Sequence, residues 1–197
     1  VADPRRYLER AGRYDLILLG PKLRVEGFHY PPVLDFDPVS GRATTSNADQ
    51  VAEFVRQQQL RVAWILETHI HADHLSAAQY LKEQLGGTTG VGAEVTHAQE
   101  IFSEVFNAGA DFRCDGSQFD RLLAEGDELP LGASSIRVLA TPGHTPACIT
   151  YVIGNNAFVG DTLFMPDYGT ARTDFPGGDA DQLYASIRKI LAFPDDT

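Results

Sequence analysis

The stretch of sequence that decides the fold is Thr68-His69-Ile70-His71-Ala72-Asp73-His74. Three histidines and one aspartate occupy six positions directly after the apolar run 62–66, which is typical of a buried strand. Neutral imidazole and carboxylate groups are ligands that suit zinc, iron and manganese. The pattern H-x-H-x-D-H therefore predicts a metal site at the C-terminal end of a strand. The alternative is a histidine-rich loop with no ligand role.

Two later segments carry ligand-type residues in the same setting. His144 lies in the tight loop 141–146 after a strand, and Asp161 follows a glycine at another strand end. Alone, His144 would more often be structural and Asp161 a turn residue. Three strand ends that each present ligands favour a preorganised metal site. His29 and His97 lack such a context, and we interpret them as surface or satisfied core histidines.

Length, charge and cysteine content limit the class of protein. The 197 residues fit one domain, which we predict to span 1–197. The net charge of −11 argues against nucleic acid or an anionic membrane as a partner, and no apolar run approaches the ~20 residues of a membrane span. Two cysteines, Cys114 and Cys148, make no disulfide framework. We therefore expect a cytoplasmic protein, with an organellar matrix as the alternative.

The hydrophobic pattern predicts runs of strands with helices interspersed. Helices are expected over 46–59, 75–85, 98–106 and 179–192. Strands are expected over 14–19, 61–66, 127–131, 135–140, 149–153 and 157–159. This order favours two packed sheets with helices outside them.

Together, the three ligand-bearing segments resemble the metallo-β-lactamase superfamily, an α/β family whose fold is an αββα sandwich. Within it, the chain is similar to the persulfide dioxygenase branch and to the bacterial β-lactamase-like proteins of sulfide detoxification. The segments that carry the branch resemblance are 67–75, 141–148, 160–164 and 169–178. Residues 1–33 match poorly, and the family's C-terminal strand and helix do not follow residue 197. We therefore expect a sandwich that is atypical at its start and incomplete at its end.

The resemblance implies one iron(II) ion per chain, with open positions for substrate and dioxygen. The implied ligands, which are also the catalytic centre, are His69, His144 and Asp161. His71, Asp73 and His74 would then orient waters and ligands from outside. In hydrolytic relatives these residues bind metal directly, so the alternative cofactor is a pair of zinc ions.

The implied reaction is oxidation of glutathione persulfide by dioxygen to sulfite and glutathione. Arg172 would help bind glutathione, with Thr173 and Asp174 bracing its loop, and the alternative for Arg172 is a structural salt bridge. Cys148 is interpreted as a packing residue, with a sulfur-handling thiol as the alternative. The other hypotheses are a dinuclear zinc hydrolase of the glyoxalase II type, acting on a glutathione thioester, and an inactive or metal-sensing homologue. The sequence leaves a homo-oligomer open.

Overall fold

The computed structural model describes residues 15–20, 34–71, 75–174 and 176–197. Within these residues the chain forms two four-stranded sheets, a small hairpin and four helices. No helix in this part of the chain has the length and apolar character needed to cross a membrane.

The first sheet is parallel and has the order β1-β4-β5-β6. Its strands are β1 (Asp15–Gly20), β4 (Arg61–Glu67), β5 (Thr88–Gly92) and β6 (Arg121–Leu123). The strand predicted over 61–66 is therefore present and extends one residue further. Parallel strands end at the same edge of a sheet, so the end of β4 delivers the histidine segment to that edge.

The second sheet is antiparallel and has the order β10-β9-β8-β7. Its strands are β7 (Glu128–Leu131), β8 (Ser134–Ala140), β9 (Ile149–Ile153) and β10 (Asn156–Phe158). A separate antiparallel hairpin joins β2 (Asp35–Asp37) to β3 (Arg42–Thr44).

The core lies between the two sheets. Trp64 and Leu66 of β4 pack in one buried cluster with Val138 and Tyr151 of the second sheet. The indole nitrogen of Trp64 also donates a hydrogen bond to the carbonyl of Pro130, at 2.9 Å. Burying each large side chain of this kind stabilises the fold by roughly 1.5–3 kcal/mol. The face-to-face packing therefore fixes where the ends of the two sheets meet.

Helices cover the outer faces. They are α1 (Ser46–Gln57), α2 (Ala78–Leu85), α3 (Val95–Val105) and α4 (Ala180–Ile190). Val55 and Leu81 bring α1 and α2 together over Ile65 of the first sheet. On the other side, Ser186 and Lys189 of α4 donate to carbonyls at the end of β8. These layers confirm the predicted αββα sandwich.

Two predicted helix starts were wrong by three residues. The helix expected from 98 begins at Val95. The helix expected from 75 begins at Ala78. The carbonyl of Leu75 accepts a hydrogen bond from the backbone N–H of Leu34, at 2.8 Å. Leu75 therefore belongs to the loop before the helix. A pattern of neighbouring residues cannot predict this contact, because Leu34 is far away in the sequence.

Candidate metal centre

The three proposed ligands come from three loops at one end of the sandwich. His69 lies two residues after β4, His144 lies in the loop between β8 and β9, and Asp161 follows β10. The backbone N–H of Ile149 donates to the carbonyl of Thr68 at 2.9 Å. This bond ties the start of β9 to the histidine segment, so the loops of the two sheets converge.

The structure places the Asp161 carboxylate close to both buried histidines. Asp161 Oδ2 lies 3.9 Å from His69 Nε2 and 3.7 Å from His144 Nε2. Two atoms that each bind one ion at roughly 2.0–2.2 Å can be no more than about 4.4 Å apart. Both distances meet this limit, and the nitrogen and oxygen donors fit iron or zinc. The role of these residues as ligands stays a prediction.

The centre has a buried wall and an open side. His69 and His144 are 1% and 3% exposed, whereas the side chain of Asp161 is 14% exposed. His71 is half-buried. A substrate would therefore approach past Asp161 and His71 rather than through the buried imidazoles.

Hydrogen bonds from outside fix the orientation of the buried imidazoles. His144 Nδ1 lies 2.9 Å from the backbone carbonyl of Arg172. A carbonyl can only accept, so Nδ1 carries the proton and Nε2 presents its lone pair towards Asp161. On the other ring, His69 Nδ1 lies 3.1 Å from the hydroxyl of Thr68. Each ring thus uses Nδ1 for support and turns Nε2 to the centre.

His71 joins the same group. Its Nδ1 lies 3.0 Å from His144 Nε2, and ligand atoms of His69, His71 and His144 all lie within 4.8 Å of one another. Because His144 Nε2 has the lone pair, His71 Nδ1 is the donor of this hydrogen bond. His71 is placed to support one ion or to bind a second. Asp73 and His74, predicted to act with it, lie outside the described residues, as does His29.

Two glycines let the ligand loops pack closely. Gly160 has a φ of 56°, and a Cβ there would lie 2.6 Å from the Thr68 hydroxyl. Gly143 has a φ of 133°, and a Cβ there would lie 2.3 Å from the backbone nitrogen of Leu183. Any side chain would push these loops away from their neighbours. The P-G-H and G-D patterns therefore serve packing as well as ligation.

A buried threonine cluster connects two of the loops. The hydroxyls of Thr141 and Thr150 lie 3.0 Å apart, and Thr162 donates to the carbonyl of Thr141 at 3.3 Å. All three residues are fully buried. Thr162 directly follows Asp161, so this cluster sets the position of Asp161 relative to His144. Threonine spacing gave no sign of this in the sequence.

A second feature that the sequence analysis missed is a buried acid at the end of β4. Glu67 is 4% exposed, and its carboxyl group accepts a hydrogen bond from Ser76. Burial raises the pKa of Glu67 to about 7, and the hydrogen bond from Ser76 opposes the rise. Tyr151 donates to the Glu67 carbonyl at 2.9 Å. The available signal was an acidic residue that ends a buried apolar strand.

Cys148 lies on the buried wall. Its Sγ accepts a hydrogen bond from the backbone N–H of Thr145 at 3.3 Å and lies 3.1 Å from that residue's hydroxyl. Burial raises the pKa of the thiol to about 11. Cys148 is therefore a protonated thiol near neutral pH. This environment favours the packing interpretation, because sulfur chemistry needs a thiolate.

The structure gives the Arg172 side chain a different partner from the one the resemblance implied. Its guanidinium makes two hydrogen bonds to Asp174, from Nε at 2.6 Å and from Nη2 at 3.0 Å. Both side chains are exposed, at 68% and 74%. This pairing favours the salt-bridge alternative. The substrate-binding role of Arg172, Thr173 and Asp174 stays a prediction, whereas the backbone carbonyl of Arg172 contacts the centre through His144.

The amino-acid sequence is similar to those of proteins named as metallo-hydrolases, glyoxylases and persulfide dioxygenases. The chain is 59% identical over 175 residues to "Probable metallo-hydrolase" of Burkholderia pseudomallei, covering 84% of this chain and 60% of the relative. It is 47% identical to Glyoxylase B2 of Dictyostelium discoideum, covering 83% and 56%. It is 32% identical to the mitochondrial persulfide dioxygenase of Bos taurus, covering 90% and 58%. The chain thus spans less than two thirds of the length of these relatives.

Solved structures agree with the fold. The crystal structure of ETHE1 from Myxococcus xanthus superposes with a TM-score of 0.61 at 30% identity, covering 83% of this chain and 66% of that one. TTHA1623 in a di-iron-bound form has a TM-score of 0.57 at 26% identity, covering 75% and 72%. The profile of the Metallo-beta-lactamase superfamily matches residues 32–197. Fold, clustered histidines and sequence agree that this chain belongs to the metallo-β-lactamase superfamily.

Proposed function

We propose that this chain is the metal-binding domain of an iron(II)-dependent persulfide dioxygenase that oxidises glutathione persulfide. The observation that carries the proposal is the convergence on Asp161 Oδ2, 3.9 Å from His69 Nε2 and 3.7 Å from His144 Nε2. Two imidazoles and one carboxylate are the ligand set of non-haem iron(II) oxygenases. The 32% identity to a persulfide dioxygenase supports the same reaction here.

In this reaction glutathione persulfide, dioxygen and one water give glutathione, sulfite and two protons. The sulfur–sulfur bond breaks, the outer sulfur is oxidised and dioxygen is reduced. Iron(II), when bound, supplies the accessible redox change that zinc lacks. The protein contributes the rest of the catalysis: it must hold the metal-binding side chains in place and admit the substrate from one side.

The residues of this chain divide that work. His144 keeps its proton on Nδ1 through the Arg172 carbonyl, so that Nε2 faces inward. Asp161 brings a negative charge to the centre and borders its open side. His71, half-buried beside them, has its Nδ1 3.0 Å from His144 Nε2 and so borders the same centre. The buried wall excludes water from the opposite side.

A second candidate is a dinuclear zinc hydrolase that acts on a glutathione thioester. It is supported by the inclusion of His71 in the group within 4.8 Å, and by the 47% identity to a protein named Glyoxylase B2. Zinc, when bound, supplies Lewis-acid chemistry for attack of water on a thioester carbonyl. The two candidates share the residues of the centre and differ in the metal and in the need for dioxygen.

The test combines metal analysis and oxygen consumption on one anaerobically prepared sample, loaded separately with iron(II) and zinc. We expect one iron per chain, with oxygen uptake and sulfite formation when glutathione persulfide is added. Asp161→Ala is the inactive control, and His97→Ala, at an exposed position outside the centre, is the active one. Two zinc ions per chain with thioester hydrolysis, and no oxygen uptake by the iron-loaded sample, would establish the hydrolase instead.

A further inference from the structure

Glu67 is costly to keep and has no part in the chemistry proposed above. Its side chain is 4% exposed, and a carboxyl group in such a place loses its hydration. An apolar residue of similar size would fill the same space at the end of β4 without this cost. The presence of an acid here calls for a function beyond packing.

The contacts of Glu67 indicate what that function is. Its carboxyl group accepts a hydrogen bond from the hydroxyl of Ser76, and the same hydroxyl accepts one from the backbone N–H of Ala78 at 3.0 Å. Ser76 thus connects the end of the histidine loop to both β4 and the start of α2. Glu67 and Ser76 are nine positions apart in the sequence, and His69 and His71 lie between them.

The other end of the loop is anchored to the second sheet. Tyr151 donates its hydroxyl hydrogen to the carbonyl of Glu67, and the N–H of Ile149 donates to the carbonyl of Thr68, both at 2.9 Å. The backbone immediately before His69 is therefore held by β9. Glu67 joins the two anchors, because its backbone is bound on one side and its carboxyl group holds Ser76 on the other.

We propose that Glu67 is a positioning residue. Its hydrogen bond to Ser76, the clamp, joins the two ends of segment 67–76 and so positions His69 and His71 for metal binding. This inference rests on the metal centre of the proposed function but not on the reaction catalysed there. The loss of an outer partner of a metal ligand typically costs about 10- to 100-fold in metal affinity. Removing the clamp should have an effect of that size.

The test is titration of the whole chain with cobalt(II) alone, because the visible absorption of bound cobalt reports both affinity and ligand geometry. We expect Glu67→Met to weaken cobalt binding about 10- to 100-fold and to change the spectrum. Its unfolding midpoint should stay the same or rise, because a buried carboxyl group is replaced by an apolar chain of similar size. A merely structural role would instead lower affinity and stability together.

Three further variants complete the experiment. Glu67→Gln keeps the acceptor oxygen and should bind cobalt as the wild type does. Ser76→Ala, at an exposed position, should fold and reproduce the loss, and combining it with Glu67→Met should add little, because both remove one interaction. Gln99→Ala removes an equally buried polar side chain that bonds to Gly116, and should lower stability without changing the cobalt spectrum.

The outcomes separate the two proposals. Wild-type cobalt affinity and spectrum in Glu67→Met or in Ser76→Ala would overturn the clamp. A wild-type chain that binds no cobalt would overturn it as well, together with the metal centre. If the clamp variants behave as expected but the iron-loaded wild type consumes no oxygen with glutathione persulfide, the dioxygenase proposal fails and the clamp stands.

Discussion

The buried wall of the metal centre and the exposed segment at 172–174 differ in how their side chains are held. On the wall, His69 and His144 are almost fully buried, and each Nδ1 has a hydrogen-bond partner. In the exposed segment, Arg172 and Asp174 pair with each other in solvent. Both regions belong to strong sequence motifs. The difference teaches that a motif fixes position most firmly where burial leaves a side chain few alternatives.

The largest effect should follow loss of a wall ligand. We expect His144→Ala to lower cobalt(II) or iron(II) affinity by well over about 100-fold, the upper end of what loss of an outer partner costs. Calorimetric metal titration measures this directly. His97→Ala, which removes an exposed histidine, is the control and should bind normally. Unchanged metal affinity in His144→Ala would show that His144 is not a ligand, and that burial on the wall does not mark a residue as part of the metal centre.

The next effect concerns Cys148 on the wall. Its pKa of about 11 lies above the ordinary thiol value, so the reactive thiolate is scarce until the pH rises towards that range. At pH 8 we expect iodoacetamide to alkylate Cys148 at least about 100-fold more slowly in the folded chain than in denaturant. Mass spectrometry of timed digests gives the rate. Rapid alkylation of the folded chain would show that the wall is open to reagents.

Close packing of the wall can be tested at Gly143. The Cβ of Gly143→Ala would lie 2.3 Å from the backbone nitrogen of Leu183, which cannot move without shifting α4. We expect at least about 2 kcal/mol of destabilisation, or roughly a 30-fold rise in the unfolded fraction. Urea unfolding measures it. Gly126→Ala is a control with a positive φ of 84° and open space around its Cβ, so it reports the backbone strain alone.

The same contrast explains what the sequence could predict. The ligand candidates were visible because histidine and aspartate follow apolar strands, and a strand end fixes where they point. The sandwich was visible from the order of strands and helices. The support of His144 by the Arg172 carbonyl was not, because every residue has a carbonyl and its role depends on the fold. The β2–β3 hairpin was missed because its strands have three residues each and bury little.

Glu67 is a residue whose structural partner could not be predicted from the sequence. The strand at 61–66 was predicted from its apolar residues, and the acid after it was taken as part of the family motif. Only the fold shows that this side chain turns into the protein and reaches Ser76. The identity of a residue was informative, but its partner, nine positions away across a loop, depended on how α2 begins.

The smallest effect should come from the exposed pair. We expect Arg172→Ala to leave the unfolding midpoint within about 1 °C of the wild type, because exposed ion pairs contribute little to stability. Metal affinity should change less than about twofold, since the carbonyl that supports His144 belongs to the backbone and survives the substitution. A rise in KM for glutathione persulfide with kcat unchanged would then assign the guanidinium to substrate binding. Asp174→Ala separates the two interpretations: it breaks the pair but keeps the cation, so KM should fall if Arg172 binds a carboxylate. If Arg172 is only structural, neither variant should alter KM, and the exposed segment would then serve the centre through its backbone alone.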